Sequence, residues 1–513
     1  MKDRHVNYAY VLLGFVILKL TIKTIWNIYN IQFGGDIIFK ISDKKSTLIV
    51  VAISQLIIQL IANMTVIALP GIAIELNFSA EAILWVNIIY MMSFVAFSLP
   101  FANIISQYGV KKSTKISLLL LLFSILISAF SINDFMFLLS RLMQGFSAAI
   151  LAISLYVIVV EEFEDSEIGS ALGVVSSAGY VGLLIAPVFM GLAISVLSWK
   201  WAFLMVLPII AILLILLNGI DYEWATEKKP VDNKGSLIYV VMMCLFTYGM
   251  TLLDEFGIVF VVVSVILFII LIKVEKSVPE PIFNFELLKD AKYVIGNYAA
   301  MITYFTVTIT ITVLALHLQY VLNVEEIVVS FILLIAPIIM IGISGFSGRL
   351  SNRIDSRIIS GVAMMFICVS SVIFFFVDFI PFNIILVGCA LQGIGNGLFS
   401  APNNKYVLTI VDEKDLPDAS SVLSTSKELG KILSAGIFAV ILSIFIGNQQ
   451  LGPNHINHLF VQSANLMMFI CILLNLSAVI LLFYSKFRYD YVANESAVRF
   501  FKRIAPEWAK KDA

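Results

Sequence analysis

The chain has 513 residues, 60% of them hydrophobic and only 13% charged, with a mean hydropathy of +1.00. Soluble domains carry roughly 45–50% apolar and about 25% charged residues, so too little polar surface is available to cover a soluble body of this size. The composition argues against a soluble enzyme, a nucleic-acid binder, a disordered chain or a secreted disulfide scaffold. The formal charge of −1 names no partner. The expected solvent is the bilayer.

Along the chain, residues 1–46 form an N-terminal extension. Its short apolar run at 9–18, followed by Lys19 and Lys23, reads as an interfacial helix or an additional span. No small-residue cleavage pattern of a signal peptide follows it. Fourteen runs then reach the ~20 apolar residues that a spanning helix needs. They lie near 47–72, 82–105, 116–132, 135–160, 168–195, 201–219, 235–253, 256–273, 293–320, 327–347, 357–377, 381–404, 419–447 and 463–485. The expected fold is an all-α integral membrane protein. Its expected parts are a six-helix bundle over 47–219, two inserted helices over 235–273, a second six-helix bundle over 293–485 and a cytoplasmic tail over 486–513.

Basic residues set orientation in membrane proteins. Segments 1–46, 106–116, 219–236, 273–293, 348–358, 405–431 and 485–513 hold 31 of the 33 Lys and Arg. That bias predicts a cell-membrane protein with both ends of the fourteen-span core cytoplasmic. The two remaining basic residues are Lys200, on the opposite face, and Arg141, taken as the one basic residue deep in a span. Cys244, Cys368, Cys389 and Cys471 lie in apolar runs without C-x-x-C spacing and read as buried hydrophobes. The four histidines suggest no metal site, and no cofactor is expected.

Basic turns recur after spans 2 and 10, at Gly109-Val110-Lys111-Lys112 and at Gly348 through Arg357. With Gly109 aligned on Asp355, a Gln-Gly pair follows at a similar distance in each half, Gln144-Gly145 and Gln392-Gly393. The pattern predicts two repeats, an arrangement that many secondary transporters use to form a midplane substrate site.

Short motifs sharpen that expectation. Span 1 ends Thr65-Val66-Ile67-Ala68-Leu69-Pro70, and span 2 opens with Trp85-Val86-Asn87-Ile88-Ile89-Tyr90. Span 4 carries Arg141-Leu142-Met143-Gln144-Gly145, and span 5 carries Ala186-Pro187-Val188-Phe189-Met190-Gly191. Ser198-Trp199-Lys200-Trp201-Ala202-Phe203 and Pro208 open span 6. In order and position the chain resembles the major facilitator superfamily, specifically its fourteen-helix drug-efflux (drug:proton antiporter) group, over about residues 45–485. It departs from that group where charge matters. The aspartate of the helix 2–3 turn is Ser106, its counterpart in the second half is Asn352, and the helix 1 aspartate falls at about Ile61. Those departures predict a weaker latch on the basic face and leave open which residue carries a proton.

The resemblance implies a role in proton coupling or conformational change for Arg141, with Gln144 on the same helical face three residues on. Glu428, at the start of span 13, and His317, whose ordinary pKa near 6.5 suits titration, are further candidates, although solvated-edge and packed readings of them stand. No carboxylate is expected near the middle of a span. Asn63, Asn87, Tyr90, Gln392 and Asn396 fall on spans that the family arranges around its cavity. Ser106, Gly109, Lys111, Lys112, Pro187, Gly191, Gly348, Asn352, Arg353 and Arg357 are candidate gating turns and hinges. Lys111 and Lys112 are candidates to pair with the acidic cluster Glu161, Glu162, Glu164, Asp165 and Glu167. Gly393, Gly395 and Gly397 lack the strand–turn–helix setting of a nucleotide motif. The expected function is a monomeric exporter of small amphipathic compounds in exchange for protons. A proton-independent facilitator or metabolite exporter and a membrane-embedded lipid-modifying enzyme are the alternatives.

Overall fold

A computed structural model of the chain describes residues 43–224, 232–251, 255–278, 281–447 and 457–504. Residues 9–18 and His455 lie outside these. Fourteen helices among the described residues are long and apolar enough to span a membrane. Spans 1–7 are Lys44–Glu75, Ala82–Tyr108, Val110–Ala129, Asp134–Glu162, Asp165–Val196, Trp199–Asn218 and Asn233–Thr251. Spans 8–14 are Phe256–Glu275, Ala291–Val321, Glu326–Leu350, Ser356–Phe375, Phe382–Leu408, Glu413–Ile446 and His458–Lys486.

The helix ends follow local chemistry. Asn133 accepts from the Met136 N–H at the start of span 4, and Glu164 with Glu167 forms a capping box at the start of span 5, each satisfying orphan donors of a first turn. Gly109 alone joins spans 2 and 3 at φ +88°, a left-handed conformation that strains any residue with a Cβ. Span 6 breaks at Met205-Val206 and restarts at Leu207-Pro208, because proline is tolerated in a first turn, where its N–H would be unpaired anyway. Spans 1, 2, 5, 10 and 12 run through Pro70, Pro100, Pro187, Pro337 and Pro402.

Packing divides the helices into two groups. In the first, span 1 packs on span 5, and span 4 packs on spans 2 and 3. In the second, span 12 packs on spans 10 and 11, span 14 on span 11 and span 13 on span 9. The groups meet through spans 5 with 10 and 12, and 13 with 2 and 4. Spans 7 and 8 pair with each other, and span 7 leans on span 2, where the Tyr239 hydroxyl donates to the Val95 carbonyl at 3.2 Å. Span 8 combines high hydropathy with only 17% burial, as expected of a lipid-facing helix. Between helices, small hydroxyl residues permit close approach. Ser117 and Ser147 bond across spans 3 and 4 at 3.0 Å, and Ser128 and Ser140 at 2.6 Å.

Span 13 holds close to its expected 419–447, but the basic segment drawn over 405–431 overlaps it. Its helix starts at Leu416, with Pro417 in the first turn, so Lys427 and Lys431 are not on a connecting segment. Lys427 stands eleven residues into the helix, about 16 Å along its axis, and is 6% exposed. Arg141 is therefore not the one deep basic residue. Glu428, expected at the start of span 13, lies near the middle of Glu413–Ile446 and likewise corrects the expectation of no carboxylate near the middle of a span.

Candidate functional site between the helix groups

Gly145 lets span 4 approach span 2 closely, since a Cβ there would meet Ser93 Oγ at 1.9 Å and the Tyr90 carbonyl at 2.5 Å. The approach brings Arg141, fully buried, within reach of three helices. Its Nη1 donates to the Ile61 carbonyl at 3.2 Å and to Gln144 Oε1 at 2.7 Å, and its Nε donates to the Val86 carbonyl at 3.2 Å. The guanidinium lies 4.6 Å from the centre of the Tyr90 ring. Gln144 is held in turn, its Nε2 donating to Ser128 Oγ at 2.9 Å. Arg141, Gln144 and Tyr90 thus form one unit. A buried charge of this kind is tolerated only where polar groups face it.

A second buried cation lies between the groups. Lys427 Nζ donates to Tyr156 Oη of span 4 and to Asn404 Oδ1 of span 12, both at 2.8 Å. The rings of Tyr156 and Tyr304 lie 4.8 and 5.8 Å from the ammonium. One residue on, Glu428 pairs with Lys431 at 2.6 Å, their side chains 15% and 21% exposed. Lys431 also lies over the Tyr304 ring at 5.5 Å, and Glu428 is within electrostatic range of Tyr90 and Tyr304. Span 13, which carries Lys427 to Lys431, packs on spans 2 and 4, which hold the Arg141 unit.

On the face that carries the basic turns, the two groups are in tight contact. A Cβ on Gly348 would lie 2.3 Å from the Gly169 carbonyl and 2.7 Å from Gly173 Cα, so spans 5 and 10 cross backbone to backbone. Asn352 accepts from the Gly169 N–H at 3.0 Å and from Lys405 Nζ at 2.9 Å, and donates to Ser170 Oγ at 2.9 Å. Lys405 also donates to the Asp165 carbonyl at 2.9 Å. Deeper, Ser176 meets Ser400 at 3.1 Å, and the Tyr180 hydroxyl donates to the Asn396 carbonyl at 3.3 Å.

The other candidates have separate roles. Gln392 is buried, its carbonyl accepting from Asn396 Nδ2 at 2.9 Å. Asn63 and Asn87 are half-buried, and Asn63 bonds back to the Gln59 carbonyl at 2.7 Å. The Ser106 hydroxyl donates to the Ala102 carbonyl of its own helix. Arg353 is exposed, and Pro187 and Gly191 lie in the far half of span 5, where a Cβ on Gly191 would meet open space. His317 is buried away from the interior, between spans 9, 11 and 14, with Asp378 at 3.5 Å.

The expected pairing of Lys111 and Lys112 with the acidic cluster does not occur among the described residues. Lys111 donates to the Ile220 carbonyl, Lys112 lies over the Tyr108 ring, and Lys44 takes Glu167 at 2.9 Å. Span 1 enters beside that cluster, so its first lysine has the shorter path.

Arg357 is fixed by a residue that sequence reasoning used only as an alignment mark. Its Nη2 and Nε hold Asp355 at 2.8 and 3.1 Å, its Nη1 donates to the Ser485 carbonyl, and Lys486 reaches the same carboxylate at 2.8 Å. Burial pushes the Asp355 carboxyl up, but the hydrogen bonds from Arg357 and Lys486 outweigh it and hold the group well below the usual carboxylate range.

Two helix groups that meet tightly at one face, with a lysine buried between them, are an arrangement that secondary transporters use. A model of the Major Facilitator Superfamily matches residues 51–276 and 297–508, and the chain belongs to that family. Similar proteins include the uncharacterized transporter YebQ of Escherichia coli, 26% identical over 78% of this chain and 89% of that protein. The riboflavin transporter RibZ of Clostridioides difficile is 23% identical over 76% and 87%. The drug efflux pump JefA of Mycobacterium tuberculosis is 23% identical over 75% and 78%. Among solved structures, the human organic anion transporter MFSD10 shares the fold at a TM-score of 0.63, with 12% identity over 86% of this chain and 99% of that one.

Proposed function

We propose that this transporter exports amphipathic organic compounds by alternating access, in exchange for protons, as a monomer in the cell membrane with its basic face cytoplasmic. One observation carries the reading: inter-group hydrogen bonds cluster on the basic face, while Glu428 and Lys431 in the interior keep partial exposure. That asymmetry is what a cavity closed towards the basic face and open towards the other would have. The drug efflux pumps among its relatives support the export of organic compounds. Glu428 is the proposed proton carrier, with Arg141 and Gln144 linking its state to spans 1, 2 and 4. Asn63, Asn87, Tyr90, Gln392 and Asn396 are proposed to face the substrate.

Purified protein in liposomes tests the reading. Substrate movement that accelerates under an imposed pH gradient, and stops accelerating in Glu428→Gln, supports exchange. Movement indifferent to the gradient favours the second reading, a proton-independent facilitator. That reading draws on the apolar side chain at about Ile61, where the resemblance to drug:proton antiporters implies an aspartate.

A further inference from the structure

The charges inside the membrane do not balance. Among the described residues, four charged side chains stand seven or more residues from both ends of their span: Arg141, Lys427, Glu428 and Lys431. The single carboxylate is taken by Lys431. Arg141 meets carbonyls, Gln144 and a ring, and Lys427 meets a hydroxyl and an amide. Two cations therefore have no ion-paired carboxylate, and both are almost completely buried. In a medium of low dielectric constant, an uncompensated cation attracts an anion far more strongly than it would in water.

The two cations differ in what they can offer. Arg141 is enclosed by spans 1, 2 and 4, whereas Lys427 lies between the groups, one residue from the partly exposed Glu428. Lys427 has three N–H donors and uses two. Tyr156 Oη accepts from both Lys427 and Asn404 Nδ2, the latter at 3.4 Å, so both lone pairs are used and its own O–H is left to donate. An ammonium N–H and a phenolic O–H, on heavy atoms 2.8 Å apart, are thus each left without a described acceptor. The rings of Tyr156 and Tyr304, 4.8 and 5.8 Å from the ammonium, supply flat, apolar faces beside these donors. A bidentate anion on an aromatic body matches this combination of donors and rings.

We propose that Lys427 and Tyr156 form the acid-recognising end of the substrate site, and that the preferred substrates are organic anions: carboxylates carried on an apolar, aromatic body. The inference deepens the export reading and depends on it only for the direction of movement.

Three probes that share one body test it: pyrenebutyrate, its neutral amide and the corresponding pyrenebutyl trimethylammonium. Binding to the purified full-length protein in nanodiscs is followed by fluorescence, and movement is followed separately in liposomes. The expected result is saturable binding of the carboxylate at least about tenfold tighter than of the cation. Lys427→Gln weakens binding of the carboxylate far more than binding of the neutral amide and so removes that preference, and Lys427→Arg, which keeps the charge and controls for folding, retains it. Equal or tighter binding of the cation, no saturable binding of the carboxylate, or an undiminished preference in Lys427→Gln overturns the proposal. Selective, Lys427-dependent binding without movement in liposomes leaves the proposal standing and removes the export reading. Movement of the cation without any preference for the carboxylate does the reverse.

Discussion

Arg141 Nη1 donates to the backbone carbonyl of Ile61 at 3.2 Å, at the position where the resemblance to drug:proton antiporters places an aspartate. The arginine keeps its address in span 1 but finds a carbonyl dipole there in place of a charge. Its planar fork also reaches Val86 and Gln144, which a lysine ammonium, a point charge with a different geometry, cannot reproduce. Arg141→Lys is therefore expected to behave much like Arg141→Ala, each slowing transport in liposomes by about tenfold or more, equivalent to ~1.4 kcal/mol. Near-normal transport in Arg141→Lys would mean that charge alone suffices.

Asn352 ties Gly169, Ser170 and Lys405 together across the closed face. Asn352→Ala removes a hub joining the two groups, and Gly348→Ala forces a methyl to within 2.3 Å of the Gly169 carbonyl. Both should loosen the basic face. Spin-label distances between the span 5 capping segment and the turn after span 10 should lengthen in each variant. An unchanged distribution would assign Asn352 to local packing alone.

Some of this site was legible in the sequence, and the physical reason for the difference is specific. Spans announce themselves because lipid requires long apolar runs, and Arg141 stood out as a charge inside one. Lys427 was hidden because the run at 419–447 opens on the polar stretch Ser420, Ser421, Ser424, Thr425, Lys427, Glu428 and Lys431, whose lysines were counted with the basic face, although most of the stretch is buried against other spans. Burial between helix groups, which no run of one helix reveals, is what lets these polar residues stand deep in span 13. Leu416-Pro417-Asp418 was the available clue, since a proline suits the first turn of a helix. Asp355 was missed because its partner Lys486 lies 131 residues away.

The Asp355 cluster joins the start of span 11 to the end of span 14, and its pH behaviour follows from the depressed carboxyl. A group whose folded pKa lies below its unfolded value contributes stability above the unfolded value, near 3.9 for aspartate, and loses it as pH falls through the folded one. Asp355→Asn should therefore cost about 1–2 kcal/mol, allowing for partial exposure. The cost should stay level from pH 8 to about 5 and shrink only below the usual carboxylate range. Thermal unfolding of wild type and variant across that range checks it, and a difference that vanishes already at pH 6 would assign the effect elsewhere.

Glu428 is the deep carboxylate whose loss separates coupling from binding. Its pairing with Lys431 at 2.6 Å is a contact that a neutral amide of the same shape still makes as an acceptor, so Glu428→Gln should fold and bind substrate nearly normally. The amide cannot take up or release a proton. Downhill movement should therefore persist within about a factor of three, well under 1 kcal/mol, while the acceleration produced by a pH gradient disappears. Counterflow without a gradient, measured beside gradient-driven transport in the same liposomes, distinguishes the two. If both fall together, Glu428 serves the conformational cycle itself through Lys431 and Tyr304; if neither falls, the proton travels by another residue.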